Sequence, residues 1–190
     1  FEKLEALFKL GIESQAVCAD NGFIVEPGEK DKNFYVTESG IYYICQVDEA
    51  GVFTQDVEVK LGTNEEQRIL LEKHFGCTRF VYNYFLDYKQ TQYKTTGTSG
   101  TYNQVAKELI NLKEDSNYSW LKEVNSQSLQ QSLKDMFNSY ERFFRGLSKF
   151  PKFKKKGEKN SFGVPQFCRI DTFKNVIYIP KFTKKGIKIK

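Results

Sequence analysis

The fold turns on Phe53-Thr54-Gln55-Asp56-Val57-Glu58-Val59-Lys60-Leu61-Gly62-Thr63-Asn64-Glu65-Glu66. Phe53, Val57, Val59 and Leu61 alternate with polar residues, the period of a half-buried strand. Gly62 breaks that period. Thr63-Asn64-Glu65-Glu66 then has capping-box spacing, in which the Thr hydroxyl and the Glu66 carboxylate satisfy free amides of a first helical turn. Beyond it, Leu70, His74, Cys77, Val81, Tyr84, Phe85 and Tyr88 recur at steps of three and four, one apolar stripe of a long helix.

Downstream, Thr95–Gly100 reads as a Gly/Ser/Thr turn. A second helix opens at Thr101, with Gln104 at capping-box spacing and Val105, Leu109 and Leu112 on its apolar face. Trp120, Leu121 and Val124 form a short apolar cluster. Asn125 or Ser126 opens a third helix, whose stripe is Leu129, Leu133, Met136, Phe137, Tyr140, Phe143, Phe144 and Leu147. Gly146 and Pro151 end it, and its aromatics from Phe137 to Phe144 read as core. A basic loop follows from Lys152 to Lys159, then strand-like runs at Phe162–Val164, Val176–Ile179 and Ile187–Ile189. A strand, then helices, then strands implies a small β-structure interrupted by a helical insertion, with the first strand paired to late ones. The expected fold is α+β: over residues 53–190, a small barrel of the oligonucleotide-binding (OB-like) kind carrying three to four inserted helices at about 64–148.

Upstream, Leu4, Leu7 and Phe8 mark one face of an amphipathic helix over residues 1–12 that stops near Gly11. Short strands are expected at Phe23–Val25, Phe34–Val36 and Ile41–Cys45, punctuated by Pro27-Gly28 and Ser39-Gly40. Residues 1–52 are thus expected to form an acidic α+β extension, a candidate docking module for a protein partner. The chain starts at Phe1 rather than methionine, which suggests a piece of a longer protein.

Charge is segregated. Residues 1–60 hold 5 Lys/Arg against 12 Asp/Glu, a balance of −7, and residues 61–144 hold 10 of each. Residues 145–190 hold 14 Lys/Arg against Glu158 and Asp171, a balance of +12. Such asymmetry points to a polyanionic partner for the C-terminal part. No apolar run approaches the roughly 18–20 residues of a spanning helix, and no leader is recognisable, so no membrane partner is expected. Cys18, Cys45, Cys77 and Cys168 include no Cys-x-x-Cys pair, so zinc spacing is absent. His74, three residues before Cys77, reads as a packing position, and the cysteines as reduced thiols of a cytoplasmic protein.

Gly76-Cys77-Thr78-Arg79-Phe80-Val81-Tyr82-Asn83-Tyr84-Phe85-Leu86 resembles the G-x-x-R-F-V-Y-N helix of the TnpB (OrfB) proteins of insertion sequences. Further along, the run from Trp120 to Gln131, Phe143-Phe144-Arg145, Phe150-Pro151-Lys152-Phe153-Lys154-Lys155-Lys156 and Ile179-Pro180-Lys181 resemble that family in the same order. TnpB proteins are RNA-guided DNA endonucleases similar to the ancestors of type V CRISPR effectors. The resemblance implies a wedge β-barrel with an inserted recognition lobe that contacts target DNA, its adjacent motif, and a guide RNA from a transposon end. It also implies that the RuvC-like cutting centre, with magnesium, and a Cys-x-x-Cys zinc element lie beyond Lys190. No catalytic or metal-binding residue and no cofactor is therefore expected in this chain, and localisation would be cytoplasmic, with the nucleoid.

Carried over residue by residue, the family's motif-reading positions fall on Tyr102 and Ala106, and on Ser126, Gln127 and Gln130. A Gln amide can pair bidentately with adenine, and an aromatic ring can pack on a thymine methyl, so an A/T-containing motif is expected. Arg145, Lys149, Lys152, Lys154, Lys155, Lys156 and Lys159 suit phosphates, which position a complex without reading sequence. Arg79 and Asn83 suit either function or hydrogen bonds that lock the helix to the barrel. Two other functions fit the same residues: a nuclease-inactive DNA-binding repressor, and a protein-interaction module.

Overall fold

The computed structural model describes residues 16–19, 22–25, 34–38, 40–47, 53–157, 160–171 and 173–189, with side chains at 36–38 and, apart from Ile170, from Lys60 onward. The helix expected over residues 1–12 lies outside the described residues. Two compact units divide the chain: one combines the strands before Gly62, the first turns of the long helix and the chain from Ser161, and the other is Lys73–Asn160.

In the first unit the described strands are β1 (Ala16–Ala19), β2 (Gly22–Val25), β3 (Phe34–Thr37), β4 (Gly40–Val47), β5 (Phe53–Gly62), β6 (Ser161–Val164), β7 (Arg169–Asp171), β8 (Val176–Tyr178) and β9 (Ile187–Ile189). They pair antiparallel in the order β1-β2-β7-β8-β9-β5-β4-β3-β6. The expected pairing of the first strand with a late one is met by Leu61 opposite Ile189 and Gly62 opposite Lys188. Closure into a barrel is not: β1 and β6 end the order, and no pairing among the described residues joins them. Each has four residues, so these edges are blunted by shortness rather than by closure. The strands of the expected 1–52 extension are not a sheet of their own either. β2 pairs with β7, β3 with β6 and β4 with β5, because paired edges satisfy backbone groups that a separate small sheet would leave open. β1 and β7 have no sequence signature; both are short and carry little apolar alternation.

Val36, Phe162, Val164, Cys168, Ile177 and Ile187 are buried in this unit. The start of the long helix, α1 (Glu65–Thr96), is tied to it by Gln67, whose amide donates to the Gly186 carbonyl at 2.8 Å. The cap itself sits one residue later than expected. Asn64 Oδ1 accepts from the Gln67 amide at 2.8 Å, and Gln67 Oε1 accepts from the Asn64 N–H at 3.1 Å. Asn caps at least as well as Thr, and the shift frees Gln67 to hold Gly186.

The second unit holds the rest of α1, α2 (Tyr102–Glu114), a 3₁₀ helix (Ser116–Glu123) and α3 (Ser126–Phe144). Thr101 and Gln104 make the expected capping box. Gly146, at φ +71°, ends α3: its N–H reaches the Phe143 carbonyl, and that of Leu147 the Arg142 carbonyl, both at 2.9 Å, a Schellman closure. Val81, Phe85, Leu86, Leu109, Leu121, Leu129, Leu133 and Met136 form the core. α1 is buried more broadly than one stripe, since Leu71, Phe75, Thr78, Tyr82 and Lys89 are buried beside the expected positions. The third-helix stripe is core only over its first half: Leu129, Leu133 and Met136 are fully buried, yet Phe144 is 77% exposed. Of the aromatics expected as core, Phe137 and Tyr140 are partly buried against it, and Phe144 is not core. No described helix is long and apolar enough to cross a membrane.

Candidate nucleic-acid interface

Within the helical unit, the Arg-Phe-Val-Tyr-Asn run of α1 places Arg79, Tyr82 and Asn83 on one face, as steps of three and four require. Tyr82 and Asn83 grip the basic loop, and Arg79 the residue that follows it. Arg79 Nη1 donates to Asn160 Oδ1 at 3.1 Å. Asn83 Oδ1 accepts from the Lys154 N–H at 2.8 Å, while its Nδ2 donates to the Lys154 carbonyl at 2.9 Å. The Lys154 ammonium lies 4.3 Å from the Tyr82 ring centroid. Asn83 thus locks the helix to the loop, and Arg79 to the residue just before β6, partners that periodicity could not reveal.

This clamp sorts the loop's cations. Lys152, Lys155 and Lys156 are exposed, as phosphate contacts require. Lys154 is accessible along its stem, but its ammonium is turned to the protein. Burial lowers its pKa, and the nearby Asp135 carboxylate partly restores it. Its placement suits holding the loop better than binding phosphate. Asp135 itself is raised by burial, against the opposing influences of Gln131, which donates to it at 2.8 Å, and of Lys154 and Lys134. Arg145 caps α3 and Lys149 follows it, both exposed. Lys159 lies outside the described residues.

The base-reading candidates are not brought into one patch. Ser126 and Gln127 open α3 half-buried, and Gln130 is exposed one turn on. Ser126 Oγ accepts from Lys113, near the end of α2, at 2.8 Å. Tyr102, at the start of α2, packs edge-on against Phe137 at 5.5 Å. The two helices are therefore antiparallel, and Tyr102 stands about 16 Å along α3 from Ser126 at 1.5 Å per residue. Ala106 is half-buried one turn after Tyr102.

A buried polar seam fixes where α3 begins. The Asn125 N–H donates to His74 Nε2 at 3.2 Å. Asn125 caps α3 through its side chain, and Ser132 Oγ donates to the Thr78 carbonyl at 2.6 Å. His74 is thus a packing and positioning residue. No group of three or more His, Cys, Asp or Glu among the described residues could hold a metal ion. Cys77 and Cys168 are free and buried. Burial pushes the Cys77 thiol up to about 11 and that of Cys168 higher still, so neither is a thiolate near neutrality.

The helix that holds this basic loop lies in a stretch that a known family matches. A family model described as a helix-turn-helix domain, of the OrfB type from IS605, matches residues 54–98. In the structure that span is β5 followed by the whole of α1. InsQ of Escherichia coli (strain K12), named by inference as an RNA-guided DNA endonuclease, is 33% identical over 127 residues, covering 67% of this chain and 32% of InsQ. A Streptomyces pristinaespiralis protein named in the same way is 32% identical over 90 residues, covering 47% of this chain and 22% of that protein. The chain spans about a third of InsQ and less of the second. Residues 54–98 carry an OrfB-type helix-turn-helix region.

Proposed function

We propose that this chain is the nucleic-acid-binding part of a TnpB-like, transposon-encoded RNA-guided DNA endonuclease. In this reading the sheet unit is the wedge and Lys73–Asn160 the recognition lobe, holding target DNA and a guide RNA from the transposon end. Cutting, with its magnesium, and a separate zinc element are assigned to a part of such proteins that residues 1–190 do not span. The observation that carries the reading is the clamp: Tyr82 and Asn83 hold the loop, and Arg79 the residue after it, while Lys152, Lys155 and Lys156 face outward. Sequence reading falls to Gln130, with Ser126 and Gln127 beside it, and to Tyr102 about 16 Å away, a spacing of roughly five base-pair steps.

Replacing Lys152, Lys155 and Lys156 together by Glu is expected to abolish binding of duplex DNA and of transposon-end RNA at moderate salt. Asn83→Ala, which removes both bonds to Lys154 and so releases the loop, should weaken both several-fold while costing only about 1–3 kcal/mol of stability. Unchanged affinity in the triple variant, measured by fluorescence anisotropy, would remove the loop from the interface.

A further inference from the structure

The aromatic end of α3, which the core covers only in part, lines an open groove of about 1240 Å³ within the helical unit. Its aromatic walls include Tyr102, Phe137, Tyr140, Phe143, Phe144 and Phe150. Tyr140 and Phe144 are near parallel, with an interplanar angle of 21° and centroids 6.3 Å apart. Phe150 meets Tyr140 and Phe143 edge-on at 5.6 and 5.2 Å. Such a wall offers flat π-surface to solvent, where an ordinary core would have hidden it.

Lys89 gives the groove its chemical character. It lines the groove and is only 6% exposed, yet no carboxylate among the described residues pairs with it. Its ammonium lies 4.3 Å from the Phe137 ring centroid and 5.6 Å from that of Tyr140, and makes one hydrogen bond, to the Gly100 carbonyl at 2.9 Å. An ammonium has three donors, so acceptor positions remain to be filled from the groove side. The two rings and the carbonyl answer part of this charge, and an anionic or acceptor-rich ligand would answer the rest. Lys134 and Arg145 also line the groove, against one carboxylate, Glu141. A ligand that is flat and aromatic, rich in acceptors and negatively charged complements all of this.

We propose that the groove binds unpaired nucleotides of a single nucleic-acid strand. A base stacks on Tyr140 and Phe144, Lys89 donates to its acceptor edge, and Arg145 meets the neighbouring phosphate. Base–aromatic stacking tolerates any sequence because every base has a π-face. This rests on the nucleic-acid reading above and adds to it a site for strand that is not base-paired.

The test uses the 190-residue chain with fluorescein-labelled oligothymidylate, oligouridylate and an abasic strand of equal length. Phe144→Ala removes an exposed ring and leaves the core intact. It should weaken the base-bearing strands roughly five- to 150-fold, the range for loss of one stacked base, and leave the abasic strand unchanged. Lys89→Met should weaken the base-bearing strands as well. Equal loss for base-bearing and abasic strands, or no loss in Phe144→Ala and Tyr140→Ala, overturns the groove while the basic-loop reading stands if its charge reversal still abolishes binding. Failure of the unaltered chain to bind any strand at low salt overturns both. Self-association that Phe144→Ala abolishes, with strand affinity untouched, assigns the groove to a second copy and overturns the proposal. Preference for oligouridylate or for oligothymidylate would identify the strand as RNA or DNA, and either supports it.

Discussion

Single residues of this protein are most informative where charge is buried. Asp135 sits beneath the loop between Gln131 and Lys154, and burial raises its pKa above the ordinary carboxylate value despite Gln131, Lys154 and Lys134. The folded state then binds the proton more tightly than the unfolded chain, so stability falls as pH rises through the raised value and stays reduced above it. Asp135→Asn keeps an acceptor for Gln131 and removes the charge. It is expected to melt higher than the unaltered protein at neutral pH, with the gap closing as pH is lowered toward the unfolded value. Thermal melts across that range check this, and a gap that widened toward acid would contradict it. Residue types at such positions are plain in the sequence. That Lys154 would turn inward and Lys89 become buried is not, because both depend on which rings lie opposite.

At the scale of elements, local chemistry is mostly decisive. Thr101 with Gln104 starts α2 where the spacing requires, and Gly146 closes α3 through its positive φ. Thr101→Ala should therefore cost about 1 kcal/mol, and Gly146→Ala a similar amount, since only glycine adopts that φ without strain. Chemical denaturation would show each as a lower midpoint with an unchanged slope. The start of α1 departs from expectation by one residue because Gln67 answers both Asn64 and Gly186. That second bond spans 119 residues and lies beyond any local rule. The aromatic end of α3 departs for a comparable reason: helical periodicity identifies an apolar face but cannot say whether another element covers it.

For the whole molecule, the charge balance of +12 over residues 145–190 is divided between the two compact units. Arg145 through Lys156 belong to the helical unit, and the cations from Arg169 onward to the sheet unit. Binding to duplex DNA is expected to weaken steeply with salt. Each of Lys152, Lys155 and Lys156 that neutralises a phosphate should contribute about 0.9 to the log–log slope, so their joint loss should reduce it by about 2.7. A slope unaffected by the triple substitution would place the phosphate contacts on other cations. The sequence by itself determined the strand-to-helix switch at Gly62, the caps of α2 and α3, the basic loop and the resemblance to TnpB proteins. These are set by neighbours a few residues apart or by motif order. Only the tertiary structure decided that the early strands join the late ones without closing a barrel, and that Asn83 clamps the loop and Arg79 the residue after it. It alone also left the Phe137–Phe144 face as an open groove over a buried Lys89. Those outcomes depend on contacts between residues far apart in the chain, and no period or spacing encodes which surfaces meet.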